Sequence, residues 1–150
     1  MRWIILLLFG CAAAQPSAPV VINLAPVGQP VREAFTEVRQ VKALPASVMK
    51  QIAGYMADPG KPFAATDSIP AGEKLPGRRL AVAGVSPKYC LIHFEQGGIA
   101  HYWRLALFKL SGDSAALVFL TDLPAQPGLA AVKAAVESGK LKDVGDHRYW

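Results

Sequence analysis

Hydrophobic and polar residues alternate most regularly in the middle of the chain, between residues 78 and 122. Alternation with a period of two is the pattern of a β-strand that buries one face. Short turn-forming sequences divide this region at Ser86-Pro87-Lys88, Gly97-Gly98 and Ser111-Gly112-Asp113-Ser114. The pattern therefore predicts a four-stranded antiparallel meander, with strands over residues 79–85, 89–95, 99–110 and 115–121.

Apolar residues recur at helical spacing on the N-terminal side of this predicted sheet. Phe35, Val38 and Val41 are three residues apart and lie near two glutamates, which favours a first helix over about residues 31–43. A second apolar stripe, which follows a proline, predicts another helix over about residues 45–57. Both helices are expected to cover the sheet.

One more helix, over about residues 128–138, is indicated by apolar residues on one face and by a glycine after its end. Together these elements predict an α+β fold with a four-stranded antiparallel meander sheet (about 78–122), two N-terminal helices and one C-terminal helix. At 150 residues the chain is expected to form a single domain, over residues 31–150.

The N-terminus has the three-part pattern of a secretory leader. Arg2 supplies positive charge, Trp3 to Phe9 form an unbroken apolar run, and small residues follow up to Ala14. The apolar run is shorter than the roughly 20 residues that a membrane-spanning helix needs. Residues 1–14 are therefore predicted to be removed during export.

The sequence Leu8-Phe9-Gly10-Cys11 resembles the lipobox of bacterial lipoproteins, in which the cysteine is lipidated and becomes the mature N-terminus. Under that alternative, Cys11 would anchor the protein to a membrane, which would be its only membrane contact. Ordinary cleavage after Ala14 would instead leave Gln15 as the first residue. Both alternatives predict an exported protein, either in the periplasm or anchored to the outer membrane as a lipoprotein.

Residues 15–30 contain four prolines among small and polar residues, which predicts a tether between the leader and the domain. The formal net charge of +5 is spread along the chain, and its longest basic run is Arg78-Arg79. Nucleic-acid binding needs basic residues clustered on one face, so this function class is excluded. A mild positive excess is compatible with a protein partner or an anionic envelope surface.

The candidate chemistry lies on the hairpin formed by the second and third predicted strands. A two-residue loop at Gly97-Gly98 would pair Phe94 with His101 and His93 with Tyr102. One face of the hairpin would then belong to the core, and the opposite face would be partly polar. The polar face is the predicted binding patch, and it consists of His93, Glu95, Tyr102, Arg104, Tyr89 and Thr121.

Two interpretations of this patch remain open. His93 could transfer protons, with Glu95 to orient it and Arg104 to hold an anionic substrate, as in a small acid–base enzyme of the hydrolase type. Alternatively, Glu95 and Arg104 form a cross-strand ion pair on a solvated face. Arginine and aromatic side chains are also enriched in binding interfaces. Non-covalent binding is the leading prediction, because no complete catalytic set is present, and the acid–base enzyme is the alternative.

Cys90, the only cysteine after the leader, is expected to be a buried and inert thiol. It would share the core face with His101 and Trp103, while His93 would point to the opposite face. The three histidines lack the spacing of a zinc site, and no glycine-rich motif for a nucleotide is present. The sequence therefore predicts neither a metal nor a cofactor.

Overall fold

The computed structural model describes residues 17–52, 55–66 and 73–147. The predicted leader and the predicted lipidation site Cys11 lie outside these residues. The described residues form two α-helices, two short 3-10 turns and one sheet of seven strands. The strands are β1 Val20–Asn23, β2 Arg32–Val38, β3 Met56–Ala57, β4 Arg78–Val85, β5 Tyr89–Gln96, β6 Tyr102–Ser111 and β7 Ser114–Asp122, and the helices are α1 Ala46–Ile52 and α2 Leu129–Glu137.

The main path of the sheet runs in the order β1-β2-β4-β5-β6-β7, and every pairing along it is antiparallel. β2 joins two parts of the sheet, because its residues 32–35 pair with β1 and its residues 36–38 pair with β4. The two-residue strand β3 lies parallel to the first residues of β4. β3, the start of β4, the end of β5 and the start of β6 therefore meet at one end of the sheet, which we call the Gly97 end after the loop that closes it.

The central strand β5 is buried on both faces, and this divides the core into two layers. All seven side chains of residues 89–95 are buried. On one face of the sheet, Leu91 packs in a cluster with Val132 and other residues of α2. On the other face, Ile92 packs in a cluster with Ile52 and other residues of α1. We refer to these as the α2 face and the α1 face.

The first predicted helix, over residues 31–43, is wrong, because most of this segment forms strand β2. Glu33, Phe35 and Glu37 alternate with exposed residues, and Phe35 is fully buried. The Glu37 carboxylate accepts a hydrogen bond from the Leu129 N–H at 2.9 Å and so caps the N-terminus of α2. Glu37 therefore stabilises a helix N-terminus, as an acidic residue can. The helix, however, is α2 near the C-terminus and not a helix over residues 31–43.

The second predicted helix, over residues 45–57, is wrong in extent. α1 contains seven residues, and Met56 belongs to strand β3, where it pairs with Arg78. Val48 and Ile52 of α1 bury in the same layer of the core as Met56. Burial of two different elements in one layer thus produces an apolar spacing that imitates a single longer helix.

The predicted four-stranded sheet is only the central part of a larger sheet. The four expected strands correspond to β4 to β7, and β1, β2 and β3 extend the sheet beyond β4. The described chain is mostly sheet with helices of seven and nine residues, so the prediction of a four-stranded α+β domain with two N-terminal helices is wrong. The predicted C-terminal helix lies at α2, and Gly139 follows it with a φ of 69°.

The described part of the segment 15–30, predicted as a tether, contributes strand β1 to the edge of the sheet. Ile22 and Leu24 are fully buried in the same cluster as residues of α2. The prolines flank the strand rather than interrupt it, and Pro26 lies in the 3-10 turn Ala25–Val27, where its missing N–H is tolerated. A proline-rich composition therefore does not prevent these few side chains from joining the core.

Replacing Glu37 with alanine should lower the free energy of unfolding by about 1 kcal/mol, because α2 would lose the acceptor for a first-turn N–H. Glu33→Ala is the matched control, since Glu33 precedes Glu37 by two residues on the same strand. Urea denaturation followed by circular dichroism measures both variants. Equal losses of stability in the two variants would contradict the capping role of Glu37.

Candidate functional site

The loop between β5 and β6 contains five residues, 97–101, rather than two. Gln96 therefore pairs with Tyr102, and Phe94 pairs with Arg104. The predicted register is wrong by three residues. Because side chains alternate between faces, an odd shift exchanges the two faces of β6 relative to those of β5.

The predicted binding patch is consequently divided between the two faces of the sheet. Tyr102 and Arg104 lie on the α1 face, where their cross-strand partners are Gln96 and Phe94. The remaining members of the patch lie on the α2 face and are buried, namely Tyr89, His93, Glu95 and Thr121. The structure therefore does not bring the six residues together as one surface.

His93 is 1% exposed, and both of its ring nitrogens have partners within the fold. Nδ1 lies 2.9 Å from the carbonyl oxygen of Arg104, and Nε2 accepts a hydrogen bond from the Gln126 N–H at 3.1 Å. These partners select a neutral imidazole with its proton on Nδ1. Burial lowers the pKa of His93, against the opposite effects of the Arg104 carbonyl and the Glu95 carboxylate. Both nitrogens are thus used by the fold rather than offered to a substrate.

The Glu95 carboxylate has partners other than the predicted one. Arg79 Nη2 lies 2.9 and 3.0 Å from its two oxygens, and His101 Nε2 lies 3.3 Å from Oε2. The predicted ion pair between Glu95 and Arg104 is wrong, because Arg104 Nε instead lies 3.3 Å from Asp122 Oδ1 on the α1 face. That second contact lacks hydrogen-bond geometry and is an electrostatic pair only.

The base of the β5–β6 loop is fixed on two sides. Gly97 packs against the backbone of Ala64, so closely that a methyl group at this position would overlap the Ala64 carbonyl oxygen. The Gly97 N–H also donates to the carbonyl oxygen of Gly77 at 2.9 Å. The segment that contains Ala64 is held in turn by Phe63, whose ring centroid lies 4.5 Å from Cζ of Arg79. The closely packed glycine therefore ties the hairpin to the two neighbouring segments.

Cys90 is a free thiol that is fully buried on the α1 face, which confirms the prediction for this residue. Burial raises the pKa of the Cys90 thiol to about 12, so the thiol stays protonated and unreactive. The prediction that His101 and Trp103 join it in the core is wrong, since His101 is exposed and Trp103 is partly exposed on the α2 face. Within the described part of the chain, no three His, Cys, Asp or Glu side chains are grouped so as to hold a metal ion.

A cleft of about 470 Å³ opens on the α1 face at the Gly97 end of the sheet. It lies between the end of α1 and the first residue of β4, and its volume is within the usual range for small-molecule sites. We call it the Arg78 cleft. None of the described residues that line it is acidic, and these residues are Gln51, Tyr55, Gly77, Arg78, Gln96 and Gly97.

The polar groups of the Arg78 cleft are arranged to donate hydrogen bonds. Gln96 Oε1 accepts a hydrogen bond from Arg104 Nη1 at 3.3 Å. The hydrogen bonds that Gln96 can offer to a ligand therefore come from its NH2 group. The guanidinium of Arg104 lies 4.8 Å from the ring centroid of Tyr102. Burial, and to a lesser degree the neighbouring charge of Arg104, lower the pKa of Arg78. A negative charge beside Arg78 would raise this pKa again, because it stabilises the charged guanidinium.

Most residues of the Arg78 cleft leave no signal in the sequence that would group them. Arg78 and Gln96 become neighbours only through the pairing of β4 with β5, 18 residues apart in the chain. The helical stripe over residues 45–57 predicts a buried Tyr55, but this side chain is 65% exposed. The one available signal is the pair Arg78-Arg79 at the start of a predicted strand, because a basic pair there places one guanidinium on each face of the sheet.

Comparison of the chain with protein-family models, with curated proteins and with solved structures found no match.

Acidification should destabilise the protein through His93. The pKa of this residue is lower in the folded chain than the ordinary value of about 6.5, so the unfolded chain binds the proton first as the pH falls. The free energy of unfolding should therefore decrease below about pH 6.5, by up to about 1.4 kcal/mol per pH unit.

Urea denaturation between about pH 7 and about pH 5 measures this dependence. His93→Gln should flatten the slope, even if the variant is less stable at neutral pH. His147→Gln is the matched control, because His147 lies in the C-terminal tail beside Asp143, and it should keep the wild-type slope. A wild-type slope in the His93→Gln variant would show that another group causes the pH dependence.

Gly97→Ala should lower the free energy of unfolding by about 1–3 kcal/mol, since the added methyl group requires the hairpin or the segment at Ala64 to move. Gly77→Ala provides the control, because a methyl group at Gly77 would meet no atom within 4 Å. Thermal unfolding of the two variants measures the difference. Wild-type stability of the Gly97→Ala variant would contradict the close packing of the loop base.

Proposed function

We propose that this protein is a small exported domain of the bacterial envelope that acts by non-covalent binding, and that the Arg78 cleft holds an anionic group of its ligand. The observation that carries this proposal is the presence in one cleft of the Arg78 guanidinium and the Gln96 amide, without an acidic residue among the described lining. Guanidinium groups bind carboxylates and phosphates through paired hydrogen bonds. The cleft is therefore suited to an anion.

Arg104 adds to the positive potential on this face. Its guanidinium contacts Gln96 and stacks on Tyr102. Its carboxylate neighbour, Asp122, has a side chain that is 60% exposed, so water weakens the attraction between them. Two guanidinium groups on one face favour the approach of an anion. Arg104, stacked on Tyr102, thus adds positive charge near the cleft, although neither of these two residues of the predicted patch is among its described lining residues.

Of the two predicted partner classes, a protein or an anionic envelope component, the cleft favours the second. A volume of about 470 Å³ is suited to one headgroup or one small anion. A stable protein interface needs a far larger buried area, typically about 1,600 Å² in total. The proposed ligand is therefore an anionic component whose charged group enters the cleft.

The alternative, an acid–base enzyme that uses His93 and Glu95, has less support. A general base must reach the proton that it removes, whereas His93 is buried with both nitrogens bonded and Glu95 is held by Arg79. Arg104, the residue expected to hold the substrate, lies on the opposite face of the sheet. The three residues do not face a common space.

The proposed location, in the periplasm or on the outer membrane as a lipoprotein, is supported by the leader pattern and by the lipobox resemblance at Cys11. Within the described residues, no helix has both the length and the hydropathy needed to cross a bilayer.

Titration with inorganic phosphate tests the anion site. Resonances of the Gln96 side-chain amide and of the Arg78 guanidinium should shift and saturate in NMR spectra of the wild-type protein. Arg78→Gln should weaken this binding at least about tenfold, because a charge-assisted hydrogen bond is lost. Lys88→Gln removes the same charge at the opposite end of the β4–β5 hairpin and should bind phosphate as the wild type does. Equal binding by the two variants would refute the proposed site.

A further inference from the structure

An isoleucine side chain lies almost wholly in solvent within the β5–β6 loop. Ile99 is 98% exposed, so it contributes nothing to the core. Two more exposed apolar side chains lie at the same end of the sheet: Tyr55, which lines the Arg78 cleft, and Tyr102, which begins β6 and is 40% exposed. Single exposed apolar residues are common on proteins and need no explanation. Three of them at the end of the sheet where the Arg78 cleft opens indicate a contact surface.

The loop presents Ile99 from a fixed base. On one side, Gly97 packs on Ala64 and donates a hydrogen bond to Gly77. On the other side, Tyr102 pairs with Gln96 in the sheet. A loop whose ends are already fixed loses less conformational freedom on binding than a free one. The two ends of the loop that carries Ile99 are thus fixed before any partner arrives.

The chemistry of the hairpin changes in a fixed order with distance from the tip. Ile99 lies in the loop with its side chain in solvent, Tyr102 follows at the start of β6, and Arg104 lies about 7 Å further along the strand at 3.3–3.4 Å per residue. Arg78 lies in the same cross-strand row as Tyr102, since both flank Gln96. An apolar loop residue is therefore followed by a row that holds both Tyr102 and Arg78, and then by a second guanidinium at Arg104.

A phospholipid bilayer surface has the same order of layers. Apolar side chains are stable at the acyl boundary, tyrosines are enriched at the interface, and basic residues are attracted to anionic lipid headgroups. Near this end of the sheet, the Glu95 carboxylate is paired with Arg79, and the exposed Asp122 carboxylate is paired weakly with Arg104. With Arg78, three guanidinium groups stand against these two carboxylates, so the net charge of the five side chains favours an anionic surface.

We propose that the Gly97 end of the sheet docks on an anionic lipid bilayer, with Ile99 inserted at the acyl boundary and a lipid phosphate in the Arg78 cleft. This inference rests on the proposed function, because the phosphate occupies the same anion site. Full burial of an isoleucine side chain corresponds to a gain of roughly 10- to 100-fold in an equilibrium constant. One inserted side chain is thus enough to be measured.

Co-sedimentation of the full chain with vesicles of phosphatidylglycerol and phosphatidylcholine tests the docking. Every sample carries Cys11→Ser, so that no lipid anchor contributes. Ile99→Ser should lower the partition coefficient on phosphatidylglycerol vesicles about tenfold or more. Val21→Ser is the control, since Val21 is an exposed apolar residue on the edge strand β1, and it should leave partition unchanged. Arg78→Gln should also weaken partition, and high salt should reduce the effect of this charge.

A fluorescent label at the tip reports insertion independently of what else in the chain touches lipid. Ile99→Cys in the Cys11→Ser background gives one reactive thiol, because the Cys90 thiol is buried. An environment-sensitive dye attached there should shift to the blue with phosphatidylglycerol vesicles and not with pure phosphatidylcholine vesicles. The same dye on Val21→Cys should not shift with either.

The outcomes separate this inference from the function on which it rests. If the dye on Ile99→Cys does not respond to phosphatidylglycerol vesicles at low salt, while phosphate still shifts the Gln96 amide, the bilayer is the wrong partner and the anion site stands. If phosphate produces no shift either, the proposed function fails as well. Insertion that is equal on both lipids and insensitive to Arg78→Gln would overturn the role of the anionic headgroup.

Discussion

Strand β5 has no face open to solvent, and the rest of the fold follows from this constraint. Its residues 89–95 alternate between two buried layers, so each face of the sheet needs its own cover. α2 covers one face and α1 covers the other. The polar side chains of His93 and Glu95 must find partners inside the protein, because a buried polar group without one is costly. His93 meets Arg104 and Gln126, and Glu95 meets Arg79.

Because β5 is buried on both faces, the polar groups that a ligand can reach lie at the ends of the strands and not in their middle. Among the described residues, the first residue of β4 and the last residue of β5 line a cleft beyond the end of α1. Arg78 and Gln96 can therefore face solvent without opening the core. A sheet that is covered on both sides binds at its edge or at its end, as open sheets in other folds do.

Local sequence patterns predict the elements of this fold better than their arrangement. The strands β4 to β7 and helix α2 are indicated by alternation, turn residues and a terminal glycine, all of which act over a few positions. The cap on α2 could not be predicted in this way, because Glu37 and Leu129 are 92 residues apart. The hairpin register depends on the fit of Gly97 against Ala64, a contact between two loops that leaves no periodic signal. An odd-length loop instead of an even one then exchanges the faces of β6.

The residues of the candidate site could likewise be predicted only in part from the sequence. Tyr102 and Arg104 are evident from the sequence as polar and aromatic residues near the hairpin loop. Arg78 joins them only through pairing across two strands. His93 and Glu95 have the residue types of an acid–base pair, yet residue type carries no information about burial on a doubly covered strand. Non-covalent binding therefore stays a prediction, and most of the residues proposed to carry it change.

Because Cys90 is buried, the rate of its modification by a thiol reagent measures how often the sheet opens. The thiol lies on the doubly covered strand, with a pKa raised to about 12, so a reagent in solution reaches it only when β5 separates from its neighbours. Openings of that size lie close to global unfolding in free energy. The rate at which a thiol reagent modifies Cys90 therefore reports how often the whole core opens. In an oxidising compartment, the same rate limits how fast two chains can become joined through this cysteine.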